Sequence, residues 1–72
     1  MATLRQLKIF AAVAKYKKMN VAASKLFTAQ PTVSQTILDL DKEYNSALFE
    51  RHNKELKITP AGMILLSRAK EI

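Results

Sequence analysis

A mainly helical fold with a short two-stranded β ribbon is predicted by three observations in this 72-residue sequence. Apolar residues recur at helical spacing along most of the chain. Two short apolar runs flank a polar centre between residues 48 and 58, and a Thr-Pro pair that can start another helix follows them. We therefore expect a domain of three helices and a ribbon at residues 1–58, with a further helix beginning at residues 59–72.

The first predicted helix runs from Leu4 to about Lys17. Thr3 and Gln6 match the T-x-x-Q capping box, in which each side chain pairs with a backbone N–H that the helix start leaves unsatisfied. Apolar residues then recur on one helix face. This stripe, which we expect to pack on the next two helices, consists of Leu7, Phe10, Ala11, Val13 and Ala14.

The pattern of residues 20–44 predicts two short helices joined by a tight turn at residues 28–30. Asn20 is a favourable N-cap for the first of them, and Ala22 and Ala23 are small enough for a close helix crossing. A two-helix unit of this size matches the dimensions of a helix-turn-helix. Its first helix is expected to bury Val21, Ala22, Leu26 and Phe27.

The second helix of this pair has one polar, mostly uncharged face. Pro31 suits the first helical position, so Gln30 is the predicted N-cap. Hydroxyl and amide groups donate and accept hydrogen bonds, as the reading of major-groove base edges requires, although an ordinary solvated face is the alternative. The apolar stripe of this helix is Val33, Ile37, Leu40 and Tyr44, and its polar face shows Pro31, Thr32, Ser34, Gln35, Leu38 and Asp39.

The segment after Tyr44 predicts a β ribbon. Asn45 is expected in a left-handed conformation at the helix end, and Asn53-Lys54 is the expected hairpin turn between the runs Leu48–Phe49 and Leu56–Ile58. The basic residues Arg51, Lys54 and Lys57, with His52, decorate it. A basic ribbon beside a recognition helix is a wing, and the alternative is a hairpin whose charges are merely solvated.

The last helix starts at Thr59-Pro60, an N-cap followed by proline at the first helical position, and is expected to run to the end of the chain. Apolar residues cover well over one face, so the helix needs partners on more than one side. One is the first helix, and the other is the same helix of a second copy or a further C-terminal domain. The apolar residues are Ala61, Met63, Ile64, Leu65, Leu66, Ala69 and Ile72, and the predicted dimer contacts are Ile64, Leu65, Leu66 and Ala69.

Charge is distributed very unevenly. The chain has 12 Lys and Arg against 6 Asp and Glu, a formal net charge of +6. Every carboxylate lies at or after Asp39, so residues 1–38 hold all of this net charge. A polyanionic partner is therefore favoured near the N-terminal half. A membrane surface fits less well, because basic residues spread over a helical unit containing Pro31 make a poor interfacial helix.

The composition leaves little room for catalysis or metal binding. The chain has no cysteine and a single histidine, which lies in the predicted ribbon, and no paired carboxylates are expected to face a pocket. We therefore expect no enzyme activity and no cofactor in this fragment. No apolar run approaches the ~20 residues that span a bilayer, and no signal-peptide pattern is present.

Taken together, these residues resemble the N-terminal DNA-binding domain of LysR-type transcriptional regulators over essentially the whole chain. The segments that carry the resemblance are LRQLKIFAAVA from residue 4, AASKLFTAQPTVSQTI from residue 22, LFER from residue 48 and LKITPAG from residue 56. The resemblance implies a winged helix-turn-helix followed by a linker helix that dimerises, and a C-terminal domain that binds a small-molecule effector. It also implies a bacterial, cytoplasmic, nucleoid-associated regulator that forms a homodimer, or a higher oligomer at full length.

In that family, the residues matching Gln30, Pro31, Ser34 and Gln35 lie at the DNA, the one matching Arg51 commonly contacts phosphate, and Lys54 matches a usual Arg. This sequence departs from the family pattern at several positions. Ala29 replaces a usual Ser, Met19 a usual Phe, and Asn45 and Asn53 usual glycines. Arg is frequent at the positions of Gln35 and Leu38, so we expect base preference to shift from guanine toward adenine and thymine.

The sequence therefore predicts sequence-specific binding of double-stranded DNA by a dimer at an inverted-repeat operator. The recognition helix, residues 31–44, enters the major groove, and the wing, residues 49–58, lies on the backbone. A winged helix that binds only protein is the alternative. The predicted DNA-binding residues are Gln30, Pro31, Thr32, Ser34, Gln35, Leu38, Arg51 and Lys54.

Overall fold

The computed structural model describes residues 2–70, and this range contains four helices and one two-stranded sheet. The mainly helical fold with a ribbon is confirmed. α1 contacts α2, α3, α4 and β2, which places it at the centre of the domain. The elements are α1 (Leu4–Tyr16), α2 (Met19–Lys25), α3 (Gln30–Glu43), β1 (Phe49–His52), β2 (Glu55–Ile58) and α4 (Pro60–Ala69).

The core is built around α1, whose Phe10 and Val13 are fully buried. Ile9 is also buried although it lies outside the predicted stripe, whereas Ala11 and Ala14 are only partly buried. Because α1 is covered by elements on several sides, its buried face is wider than the single stripe of an amphipathic helix. The other buried apolar residues are Leu7, Ala22, Ala23, Val33, Ile37, Leu40, Leu48, Leu56 and Leu65.

Two of the four predicted N-caps are confirmed and two were wrong. Thr3 and Gln6 form the predicted capping box of α1, and Thr59 caps α4 as expected. The predictions of Asn20 and Gln30 as N-caps were wrong, because α2 begins at Met19 and α3 at Gln30, each without a side-chain cap. Pro31 tolerates this shift, since the first N–H groups of a helix have no acceptor within it.

Two residues predicted on buried stripes lie at helix ends and face solvent. Phe27 follows α2 in a left-handed conformation with φ of 54° and is 97% exposed. The N–H of Thr28 donates to the carbonyl of Ala23. Phe27 therefore occupies the left-handed position that ends a helix, which is usually taken by glycine. Tyr44 is the C-cap of α3 and is 37% exposed, because the helical stripe ends before it.

The ribbon forms as predicted, and contacts from both of its strands fix it to α1. Antiparallel pairing joins His52 to Glu55, with Asn53-Lys54 as the turn and Asn53 in the expected left-handed conformation at φ 58°. At the open end of the hairpin, the Phe49 ring lies 5.2 Å from that of Phe10. The N–H of Leu56 donates to the carbonyl of residue 17 at 2.8 Å, which ties β2 to the end of α1.

The last helix packs against α1 and β2. The hydroxyl of Thr59 accepts from the N–H of Gly62 at 3.1 Å and donates to the carbonyl of Ala47 at 2.7 Å, so α4 starts at a fixed point. Packing of α4 on the first helix is confirmed. The expectation that α4 continues to residue 72, and the apolar Ile72 itself, lie outside the described residues.

Candidate nucleic-acid interface

The polar face of α3 is held outward by the burial of the opposite side. Val33, Ile37 and Leu40 are 0–4% exposed and fix the helix on the core. Leu38 is apolar but 53% exposed, so its side chain is accessible on this face. The predicted contact residues on this face that are exposed are Gln30, Pro31, Thr32, Gln35 and Leu38.

Ser34 differs from these residues because it is partly buried. Its hydroxyl donates to the sulfur of Met19 at 3.1 Å and so links α3 to the start of α2. Its oxygen keeps acceptor capacity in this arrangement. Thr36, on the buried side, donates to the carbonyl of Thr32 at 2.8 Å and leaves that carbonyl satisfied inside the helix.

The amide of Gln35 is held by a neighbour on the same helix. Its Nε2 donates to Oδ1 of Asp39 at 2.9 Å, one helical turn further along α3. A pair at this spacing contributes about 0.2–0.5 kcal/mol to an exposed helix. Both side chains are exposed, so the amide carbonyl and the second amide hydrogen are accessible to a partner.

A concavity of about 300 Å³ lies between the start of α2, the start of α3 and the ribbon. It brings together two predicted helix residues, Gln30 and Ser34, and two predicted ribbon residues, Arg51 and Lys54. Its other lining residues, which the sequence did not single out as contacts, are Lys18, Met19, Asn20 and Leu56. No motif marks the position of Lys18. The only signal in the sequence was its place in residues 1–38, which hold no carboxylate side chain.

The charges around this concavity are positive. Lys18, Arg51 and Lys54 are exposed, and none of them forms an ion pair with a carboxylate of residues 2–70. The first turn of α3 carries no acidic residue, and its N-terminal N–H groups add positive partial charge at the same place. On the ribbon, His52 instead pairs with Glu50 at 3.3 Å. The concavity can therefore hold an anionic group such as a phosphate.

The four predicted dimer residues of α4 differ in how far they are exposed. Ile64 is 62% exposed, and Leu66 and Ala69 are partly buried. Leu65 is only 5% exposed and already packs in the core, so it can offer little area to a second copy. Ile64 borders a second concavity of about 220 Å³, together with Tyr44, Ser46, Ala61, Leu65 and Arg68.

The structure offers no metal-binding cluster and no membrane-spanning helix among the residues that it describes. Across residues 2–70, no three His, Cys, Asp or Glu side chains come together in a way that could hold a metal ion. Within the helices that the structure describes, none is long and apolar enough to cross a membrane. The exposed polar face of α3 and the basic concavity are therefore the candidate functional features of residues 2–70.

This fold and site define a winged helix-turn-helix protein, with α2 and α3 as the two-helix unit and the β1–β2 ribbon as the wing. Residues 4–63 match the family model described as "Bacterial regulatory helix-turn-helix protein, lysR family". The chain belongs to this family, as the sequence resemblance implied.

Named relatives and solved structures agree with this assignment. The chain is 46% identical over 66 residues to the HTH-type transcriptional regulator CysL of Bacillus subtilis, covering 92% of this chain and 22% of CysL. It is 39% identical over 71 residues to the HTH-type transcriptional activator CmpR of Synechocystis, covering 99% of this chain and 23% of CmpR. These relatives are named as regulators and not as enzymes, and the chain spans less than a quarter of their length.

Among solved structures, a complex of the CbnR DNA-binding domain with DNA superposes with a TM-score of 0.91 at 33% identity, covering 97% of this chain and 80% of that chain. A complex of the BenM DNA-binding domain with benA site 1 DNA gives a TM-score of 0.90 at 36% identity, with 97% and 81% coverage.

Proposed function

We propose that this domain binds double-stranded DNA sequence-specifically, with α3 in the major groove and the wing on the sugar-phosphate backbone. The observation that carries the proposal is the concavity in which Gln30 and Ser34 of α3 meet the cations Arg51 and Lys54 of the wing. A base-reading face and a phosphate-binding surface are thus contiguous. The related CbnR and BenM domains were solved with DNA, which supports the same role here.

The proposed roles of these residues follow from the chemistry of their side chains. Gln30, Pro31, Thr32, Ser34, Gln35 and Leu38 are proposed to face the bases, with Gln35 offering an acceptor and a donor and Leu38 an apolar surface for a thymine methyl. Arg51 and Lys54 are proposed to contact phosphate, to which we add Lys18 from its place in the same concavity. Phosphate contacts set position and affinity, whereas base contacts set sequence preference.

For the whole protein we propose a homodimeric regulator. Residues 1–58 would form the winged domain, and α4 would be the start of a linker helix that joins two copies through Ile64, Leu66 and Ala69, with Leu65 at the margin. A two-fold dimer reads an inverted repeat with half-sites about one helical turn, or a multiple, apart. A small-molecule effector would bind elsewhere in the full-length protein, which would act in the bacterial cytoplasm at the nucleoid and could form a higher oligomer.

The test is selection of bound duplexes from a random pool at near-physiological salt. Enrichment of an inverted repeat is the expected result, since it requires both base readout and a DNA-bound dimer. A single enriched half-site would support base reading by α3 and would show that this domain does not bind DNA as a dimer. Recovery of no sequence would overturn the proposal and favour a winged helix that binds protein.

The wing's role is tested with a charge-matched pair. Lys54 lines the concavity, whereas Lys57 is an exposed cation of the same ribbon that lies outside it. Lys54→Ala is expected to weaken binding to every duplex and to lower the slope of log K against log salt by about 1, with a smaller effect for Lys57→Ala. Equal effects of the two variants would mean that only overall charge matters, and that the concavity has no particular role.

A further inference from the structure

We infer that Asp39 is a specificity-determining residue, because its carboxylate fixes the orientation in which the Gln35 amide meets a base. This inference rests on the proposed DNA-binding function and extends it to a residue that does not itself have to touch the DNA. The observation is the hydrogen bond from Gln35 Nε2 to Asp39 Oδ1 at 2.9 Å on the exposed face of α3.

The first step concerns the amide itself. A glutamine amide has an acceptor oxygen and a donor NH₂ at nearly equal distances from its stem, and it can exchange them by turning about its last side-chain bond. An ionised carboxylate only accepts hydrogen bonds. Asp39 therefore selects the orientation in which the nitrogen of Gln35 points along the helix toward it, and disfavours the turned-over one.

The second step concerns what remains for the base. One amide hydrogen is occupied by Asp39, which leaves the carbonyl oxygen and the second N–H of Gln35. Adenine presents a donor, N6–H, beside an acceptor, N7, and this pattern is complementary to that pair. Guanine presents two acceptors, O6 and N7, and would need both amide hydrogens at once. The Asp39 carboxylate also repels an edge made only of acceptors.

The surroundings of this pair leave the carboxylate free for that role. Asp41, two residues further on, is turned inward, and its Oδ1 accepts the N–H of Leu48 at 3.1 Å. Asp39 has Gln35 as its hydrogen-bond partner among residues 2–70 and forms no ion pair with a Lys or Arg there. A carboxylate on a face that approaches phosphate costs affinity, so its benefit is expected in discrimination between bases.

The experiment compares Asp39→Asn with the unchanged domain and with Glu50→Gln, which removes one exposed carboxylate from the ribbon. Asn is nearly isosteric with Asp but can donate as well as accept, so it no longer selects one amide orientation. Random-pool selection defines the preferred site of the unchanged domain, and dissociation constants are then measured on duplexes that differ by adenine or guanine at each position of one half-site.

The unchanged domain is expected to prefer adenine at one position, where Asp39→Asn lowers the adenine-over-guanine ratio of dissociation constants by about 3- to 10-fold. Preference elsewhere should stay the same. Glu50→Gln should alter affinity evenly over all duplexes. In a Gln35→Ala background, Asp39→Asn should no longer change the preference at that position, which an effect of charge alone would not explain.

Two results would overturn the inference while leaving DNA binding intact. One is an unchanged adenine-over-guanine ratio in Asp39→Asn, and the other is an equal change of that ratio in the presence and absence of the Gln35 side chain. Selection of guanine at every position that depends on Gln35 would also reject it. Failure of the unchanged domain to enrich any sequence would instead overturn the proposed function, and this inference with it.

Discussion

The single glycine of the chain, Gly62, lies in the first turn of α4 and is buried, although glycine is a poor helix former. A Cβ at this position would lie 2.4 Å from the carbonyl oxygen of Leu48 and 2.6 Å from Cγ1 of Ile58. The carbonyl cannot move aside freely, because it accepts the N–H of Thr59 at 3.0 Å. The N–H of Leu48 is held as well, by Asp41 at 3.1 Å. Gly62→Ala therefore forces apart the start of α4 and the base of the wing.

The expected magnitude follows from three contributions. Overpacking of a close-packed site costs about 1–3 kcal/mol. Weakening of the bond between Thr59 and Leu48 costs roughly 0.5–1.5 kcal/mol. Against these losses, the higher helix propensity of alanine stabilises the folded state by about 1 kcal/mol. The net expectation is a loss of about 2 kcal/mol in the free energy of unfolding, which corresponds to a fall in Tm of roughly 10 °C for a domain of this size.

The assay is urea and thermal unfolding followed by circular dichroism, with Ser67→Ala as the control. Ser67 is exposed on the same helix, so its replacement by alanine changes helix propensity without steric conflict and should leave stability within about 0.5 kcal/mol. A Gly62→Ala domain as stable as the unchanged one, or more stable, would show that the close approach of α4 to Leu48 does not exist in solution.

Three further changes test other parts of the structure. Phe27→Asn should raise the free energy of unfolding by about 0.5–1 kcal/mol, because Asn tolerates the left-handed backbone and an exposed ring is removed; a lower urea midpoint would contradict this. Thr59→Val should lower it by about 1–2 kcal/mol through loss of the cap and of the bond to Ala47, whereas Thr59→Ser should retain most of the stability in thermal unfolding. Arg51→Ala should weaken binding evenly across duplexes and flatten the salt dependence; a loss confined to one base pair would argue for base contact instead.

The sequence predicted the elements of the fold well because local signals marked them. The capping box of Thr3, the Thr59-Pro60 start and the left-handed residues Asn45 and Asn53 all lie where short-range chemistry determines backbone conformation, and the structure has each of them as expected. Helical periodicity predicted burial incorrectly at helix ends. Phe27 continues the apolar pattern of α2, but its left-handed backbone has already ended the helix.

The candidate site was predicted less completely, because it depends on contacts between distant parts of the chain. Side chains on one face of α3 follow from helical spacing, so Gln35 and Leu38 were found. Lys18 joins Arg51 in one concavity only after the ribbon folds back over the start of α2, and no local pattern encodes that proximity. Whether each predicted residue contacts DNA stays a prediction until binding is measured.

The attachment of the ribbon suggests that its tip is a separable module. Phe49 anchors the ribbon at its open end, and Leu56, which pairs with Arg51 one step before the turn, anchors it to the carbonyl of Lys17, whereas residues 50–55 are exposed. A hairpin of the same length and register that keeps Phe49 and Leu56 could therefore carry a different sequence at residues 50–55 with little loss of stability. Mutations at the tip would then alter affinity for phosphate almost independently of folding, and the wing could diverge in evolution without compensating changes in the core.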